Sequence, residues 1–291
     1  MKPFAHLRSS LQQARNRWSK FSAAPERRRR HQSAQQWPSP DAEPVGRALS
    51  QAELNREGFA WCSLDDASKA RLLSAWAALK SVGPAAESRL KTQKTTGKMF
   101  FEELLDDAQL ASHSAFIDVA LTEGALRAVM ASMDMVPHLE SIDILASRRT
   151  SDDLSASQLW HYDVNDERIL KLFVYLEDCG ASNGPFTFIP ADSSQAVAAA
   201  VGHYVTDEHI SGYVPRSRWR SVEGSAGTAF FIDTGRCYHF GSRCTLPRYA
   251  YVATYSSGLK FMRRARMWGN LLGARARELS PLQRAVCGLD R

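Results

Sequence analysis

His161, Asp163 and His239 are the residues of this chain whose types and spacing fit a single reaction centre. They sit in Ser157-Gln158-Leu159-Trp160-His161-Tyr162-Asp163 and Gly235-Arg236-Cys237-Tyr238-His239-Phe240-Gly241. Because His161 and Asp163 are two residues apart, an extended backbone turns both side chains the same way. Two imidazoles and one carboxylate on one face of a metal leave three positions open. That donor set suits non-haem Fe(II), with space for a bidentate co-substrate and O2. A lone His-x-Asp occurs often by chance, and the competing reading is a fortuitous pair with His239 as a structural histidine. The surroundings argue for the metal. An apolar strand runs from Ile169 to Glu177, Asn183 to Pro190 reads as a turn and a short strand, and Thr228 to Asp233 is a strand leading toward His239. Arg248 then opens another strand after Pro247. A guanidinium there could bind the far carboxylate of 2-oxoglutarate through a bidentate pair. Arg243 competes for that role, but it lies in a turn with Gly241 and Ser242. Arg248 begins the returning strand and can lie across from His239, which favours it.

Taken together, His161-x-Asp163, Tyr175-Leu176-Glu177-Asp178, Asn183-Gly184-Pro185-Phe186, Ile189-Pro190, His239 and Arg248 resemble the phytanoyl-CoA dioxygenase-like Fe(II)/2-oxoglutarate oxygenases. The resemblance covers about residues 137 to 256. It implies an α+β fold with a mainly β core: a double-stranded β-helix (jelly-roll or cupin-like) with buttressing helices. It also implies iron ligands at His161, Asp163 and His239, 2-oxoglutarate on Arg248, and O2 as the oxidant. Many relatives continue the Ile-Pro segment as Gly-Ser-His, whereas this chain has Ala191-Asp192-Ser193-Ser194. That departure bears on loop geometry and substrate class, not on the iron site. Related halogenases lack the carboxylate, so a retained Asp163 favours hydroxylation; desaturation and ring formation stay open.

The strand after the His-x-Asp can be read face by face. Leu170, Leu172, Val174 and Leu176 form an aliphatic face for helices to cover. Lys171, Phe173 and Tyr175 form the other face, which would line the barrel. Lys171 and Tyr175 are therefore candidates for contact with 2-oxoglutarate or substrate; the alternative is a lysine at the barrel mouth and a tyrosine bonded to backbone. Arg248, Ala250, Val252 and Thr254 likewise share a face, opposite Tyr249, Tyr251, Ala253 and Tyr255. Residues 195 to 222, with His203 and His209, read as a substrate lid whose Tyr204, Tyr213, Arg216, Arg218, Trp219 and Arg220 could recognise a sugar or an anionic group, or as an ordinary surface insertion. Trp160 reads as packing beside His161.

A chain of 291 residues with 44% apolar content can bury a full core. No apolar stretch approaches the roughly 20 residues that span a bilayer, and no secretory signal is visible. Five cysteines without a C-x-x-C pair suggest neither a disulfide framework nor a zinc site, and fit a reducing cytosol. The net charge of +6 is unevenly placed. Ten Lys/Arg and three Asp/Glu fall in residues 1–50, eight and two in 260–291, leaving 19 and 26 in 51–259, a body about 7 units negative. The basic pI thus comes from the ends, and nucleic-acid binding is not expected.

Phe4, Leu7, Leu11, Ala14, Trp18 and Phe21 form an apolar stripe flanked by Arg8, Arg15, Arg17 and Lys20, a basic amphipathic helix. Pro25 and the run Arg27 to Arg30 lead into a polar, Pro-containing linker up to about Pro44. Residues 1–30 would make peripheral contact with an anionic membrane or an acidic partner; a solvated tail and, in a eukaryotic source, a mitochondrial presequence are the other readings. The expected division is therefore residues 1–48 as basic tail and linker and 49–291 as the dioxygenase domain, with a β-helix core at about 137–258 and a helical end at 260–291. Helices are predicted at Asp65 to Leu79, Met99 to Leu105 and Phe116 to Met133, and at the C-terminus with Ser280 as N-cap, Pro281 at N1 and Gly288 near the end. The implied protein is cytoplasmic, or peripheral at the inner membrane face. Its substrate would be a small organic molecule or a membrane glycolipid, such as the octulosonic acid sugar of a lipopolysaccharide core. A soluble metabolite-tailoring oxygenase and a non-catalytic binding protein that keeps the fold are the alternatives.

Overall fold

A computed structural model describes residues 24–37, 51–81, 101–148, 154–258 and 265–289. The described residues form nine strands: β1 (Phe59–Cys62), β2 (Phe101–Glu103), β3 (His138–Ser147), β4 (Ile169–Tyr175), β5 (Phe186–Phe188), β6 (Arg220–Val222), β7 (Ala229–Asp233), β8 (His239–Phe240) and β9 (Arg248–Ser256). They form a six-stranded sheet in the order β1-β7-β4-β9-β3-β2 and a three-stranded sheet in the order β6-β5-β8. All pairings are antiparallel. Isolated bridges from His161 to His239 and from Trp160 to Val205 widen the smaller sheet.

The two faces of β4 separate as its alternation requires. Leu170, Leu172, Val174 and Leu176 join the large core beneath the helices, with Leu126, Val129 and Trp268. Phe173 and Tyr175 instead join the core between the sheets, with Phe59, Phe186, Phe188, Phe230, Ile232 and Val252. On β9, Ala250 and Val252 face inward while Tyr251, Ala253 and Tyr255 face the helices. Tyr251 and Tyr255 are anchored there, donating to the carbonyls of Phe116 and Ala120.

The helical buttress departs from expectation in three places. The stretch read as one helix from Phe116 to Met133 is two, Ser114–Ala120 and Glu123–Met133, split at Leu121-Thr122. Within the helix expected at Met99 to Leu105, Phe101–Glu103 is instead an edge strand: pairing with Ser147, Ala146 and Leu145 outweighs local propensity. Ala24–Ala34, expected to lead into a linker, is an α-helix docked on the body. There Arg30 is buried and donates to the Val136 carbonyl, its own carbonyl accepts from Val136 N, and Trp37 packs on the main core. The stripe from Phe4 to Phe21 lies outside the described residues. Asp66–Ser81 and Pro281–Val286 are helices as expected. Ser280 caps the latter in a capping box, and Gly288 follows it at φ +70°. No described helix is long and apolar enough to cross a membrane.

Candidate metal centre and anion pocket

The smaller sheet itself brings His161 and His239 together. Their backbones exchange hydrogen bonds, His161 N to His239 O at 3.0 Å and His239 N to His161 O at 2.8 Å, and the ring centroids lie 4.3 Å apart. Two residues on, Asp163 N donates to Thr234 O at 2.8 Å, which turns its carboxylate toward the same point. One ligand atom from each of His161, Asp163 and His239 lies within 4.8 Å of the others. His161 Nδ1 pairs with Leu159 O at 2.9 Å and His239 Nδ1 with Cys237 O at 3.0 Å. Both Nε2 atoms are thereby set up as electron-pair donors. Burial lowers the pKa of His161 and pushes that of His239 down to about 3, so both rings are neutral. Burial alone would raise the Asp163 carboxyl, but the Lys171 ammonium beside it holds it well below the usual range. Lys171 Nζ lies 2.6 Å from Asp163 Oδ2, so the ammonium engages one carboxylate oxygen and the other is available to a monodentate bond. The ring of Phe186 stacks on His239 and that of Tyr204 on His161, at 5.3 and 5.4 Å. Two neutral imidazoles and a carboxylate, each in its ligating protonation state, fit a divalent cation of the iron type.

Arg248 lies at the other end of β9. It is buried, donates to Gly184 O, Ser147 Oγ and Ser242 Oγ, and keeps an unpartnered buried Nε. Among the described residues no carboxylate pairs with it. Tyr175 and Cys179 adjoin it, but burial raises both pKas and keeps both neutral. A buried guanidinium with only neutral neighbours calls for an anion. Two glycines, unnoticed as functional in the sequence, shape this pocket. A methyl on Gly241 would sit 3.2 Å from an Arg248 guanidinium nitrogen. Gly184, at φ +61°, passes so close to Arg243 that a Cβ would lie 2.7 Å from its backbone. Glycine two residues after the metal-type histidine was the available signal for the first.

The remaining candidates sort themselves by partner. Arg243 is committed elsewhere: it pairs with both oxygens of Asp207 at 2.9 and 3.0 Å, donates to Gln158 O and lies over the Phe240 ring. Tyr175 donates to Val222 O and accepts from Phe186 N, so its hydroxyl is used by backbone. Trp160 is fully buried, its indole N–H on Asp207 and its ring edge-on to Trp219 and Phe240. Residues 195 to 222 carry most of the helix Ala191–Val201, the helix Asp207–Ser211 and strand β6. Within them His203 bonds to Tyr162 O, Arg218 pairs with Asp192, Arg220 with Glu57, and Arg216 lies over Trp219. The arginines of this stretch are thus turned to the protein's own groups.

No protein-family model and no curated protein sequence matches the chain. Solved structures match it in fold. EctD from S. alaskensis with 2-oxoglutarate and 5-hydroxyectoine is 15% identical over 76% of this chain and 79% of that one, with a TM-score of 0.51. The same protein with bound Fe is 16% identical over 76% and 80%, also at 0.51. The epimerase SnoN, in complex with Fe3+, alpha ketoglutarate and nogalamycin RO, is 18% identical over 71% and 81%, at 0.48. The chain has the double-stranded β-helix fold, with the two histidines bridged on its smaller sheet and the aspartate two residues beyond His161.

Proposed function

We propose that this chain is a non-haem Fe(II)/2-oxoglutarate-dependent oxygenase that hydroxylates an unactivated C–H bond of a small organic molecule. The observation that carries the reading is the pairing of a three-ligand metal centre with a buried guanidinium that has no acid partner among the described residues. With iron bound, the centre would couple the oxidative decarboxylation of 2-oxoglutarate, giving succinate and CO2, to insertion of one oxygen atom of O2 into the substrate C–H bond. The chain's own part is positional. His161 and His239 supply Nε2 in a spacing fixed by a backbone bridge, Asp163 supplies one oxygen, and Lys171 holds the other. Arg248 takes the distal carboxylate of 2-oxoglutarate, helped by the hydroxyls of Ser147 and Ser242. Phe186, Phe173 and Val252 keep water from the space between. Tyr175 supports this pocket through the backbone instead of touching the co-substrate.

The test is binding before turnover. Calorimetry under nitrogen should show 2-oxoglutarate binding only after Fe(II) or Mn(II) has been added, and succinate should appear once O2 is admitted. A chain that binds 2-oxoglutarate equally well without metal, or binds no metal, is not this enzyme. Within residues 195–222, Arg218 and Arg220 are ion-paired within the chain, which weighs against an anionic glycolipid bound there; a soluble small molecule is the substrate class favoured.

A further inference from the structure

The barrel is tied shut at one end and open at the other. At the Arg248 end Ser147 Oγ on β3 is tied to Ser242 Oγ in the loop after β8 at 2.7 Å, and that loop is held by Gln158 Nε2 to Ser242 O at 3.0 Å. Toward the opposite end of β3, β4 and β9 the inward residues become part-exposed, while their outward neighbours stay buried. Ser141, Asp143, Lys171 and Thr254 are part-exposed; Ile142, Ile144, Leu170, Leu172, Ala253 and Tyr255 are at most 3% exposed. The register places Lys171 and Ser141 on either side of Thr254, and Asp143 one inward step along, opposite Val252. Lys171 joins this row to the metal centre through Asp163. Ser141 Oγ donates to Asp143 Oδ2 at 2.8 Å, and the Thr254 hydroxyl has no partner among the described residues. Beside the same centre the Tyr204 ring stacks on His161 with 49% of the residue exposed.

Building on the oxygenase reading above, we infer that this open end binds a polyhydroxylated ring, a sugar or cyclitol. Tyr204 offers a flat apolar surface for the C–H face of the ring, and Thr254, Ser141 and Asp143 meet its hydroxyls. Hydroxyl-bearing rings alternate apolar C–H faces with polar edges, so a site for them needs one aromatic platform and several convergent donors and acceptors. Tyr204 adjoins the ligand His161, and Thr254 lies across from Lys171, which holds the ligand Asp163, whereas the interior between the sheets is aromatic and aliphatic. An apolar substrate would instead leave the Thr254 hydroxyl dehydrated without compensation.

Succinate release by the iron-loaded full chain should be measured with monosaccharides, disaccharides and myo-inositol, and with apolar ring compounds of matched size. The expected result is stimulation by polyhydroxylated compounds alone. Thr254→Val, which keeps the side-chain shape, and Asp143→Asn should each raise the KM for the stimulating compound at least tenfold while kcat changes less. Tyr204→Phe should retain affinity and Tyr204→Leu lose it. Metal and 2-oxoglutarate affinities, read by calorimetry, should match the parent in Thr254→Val and Asp143→Asn. Stimulation by an apolar compound, silence across the whole sugar and cyclitol panel, or an unchanged KM in Thr254→Val and Asp143→Asn would overturn the inference. Loss of metal-dependent 2-oxoglutarate binding in the parent would instead remove the oxygenase reading beneath it.

Discussion

The Arg248 end and the Lys171 end of one barrel handle buried charge in opposite ways. Lys171 meets a carboxylate of the chain itself, Asp163 at 2.6 Å. Arg248 is buried more deeply and, among the described residues, hydrogen-bonds to hydroxyls and a carbonyl alone. A paired charge contributes to a resting structure, whereas an unpaired one stores a demand for a ligand, because desolvation has been suffered without a counter-ion. In the free chain the Lys171 charge is already countered, whereas the proposed co-substrate would supply the counter-charge of Arg248.

The strongest way to break the comparison is to remove a ligand. His161→Ala, Asp163→Ala and His239→Ala should each weaken metal binding by roughly 100-fold or more and abolish succinate release, while circular dichroism keeps the parent spectrum. Retained turnover in any one of them would unseat the metal assignment. Next, Arg248→Ala should weaken 2-oxoglutarate binding by on the order of 2–3 kcal/mol, roughly 30- to 150-fold. Arg243→Ala should leave that affinity nearly intact and lower the melting temperature instead, because Asp207 loses its ion-pair partner and, among the described residues, keeps only the Trp160 indole bond. Calorimetry beside thermal melts separates the two, and the reverse pattern would exchange their roles. Gly241→Ala sharpens the point, since its methyl presses on the guanidinium: a several-fold loss of 2-oxoglutarate affinity with unchanged metal affinity is expected. Tyr175→Phe forfeits two backbone hydrogen bonds and should cost about 1–3 kcal/mol of stability, visible in denaturant titration, with no selective loss of co-substrate. Smallest is deletion of residues 1–37 compared with 1–23. Losing the Arg30–Val136 contacts and Trp37 packing should lower the melting temperature by about 2–4 °C per kcal/mol lost, and equal melting of the two truncations would deny the docking.

What the sequence disclosed follows from how local each signal is. The faces of β4 and β9 were legible because side-chain alternation is a property of the strand alone. The triad was legible because a two-residue spacing and a later histidine are enough to suggest a metal. The strand at Phe101–Glu103 was not, because three residues paired at a sheet edge carry too little pattern to outweigh a helical composition. The helix at Ala24–Ala34 was hidden for another reason: a run of arginines reads as solvated, and the carbonyl that receives Arg30 lies 106 residues away. Choosing Arg248 over Arg243 rested on a strand beginning at the right place. What engages Arg243 is Asp207, a partner no spacing rule would supply.

The backbone bridge between His161 and His239 has a consequence for how the protein would be assembled and maintained. Main-chain hydrogen bonds, not the cation, set the distance between the two nitrogen donors, so the ordering entropy of that pair is spent when the chain folds. Metal would then be a late and replaceable addition: chelation should strip it without unfolding, and reloading should proceed at the pace of diffusion and dehydration instead of refolding. The same rigidity means that discrimination among divalent ions falls on Asp163 and the open positions, so a cell that supplied the wrong ion would obtain a well-folded, idle protein.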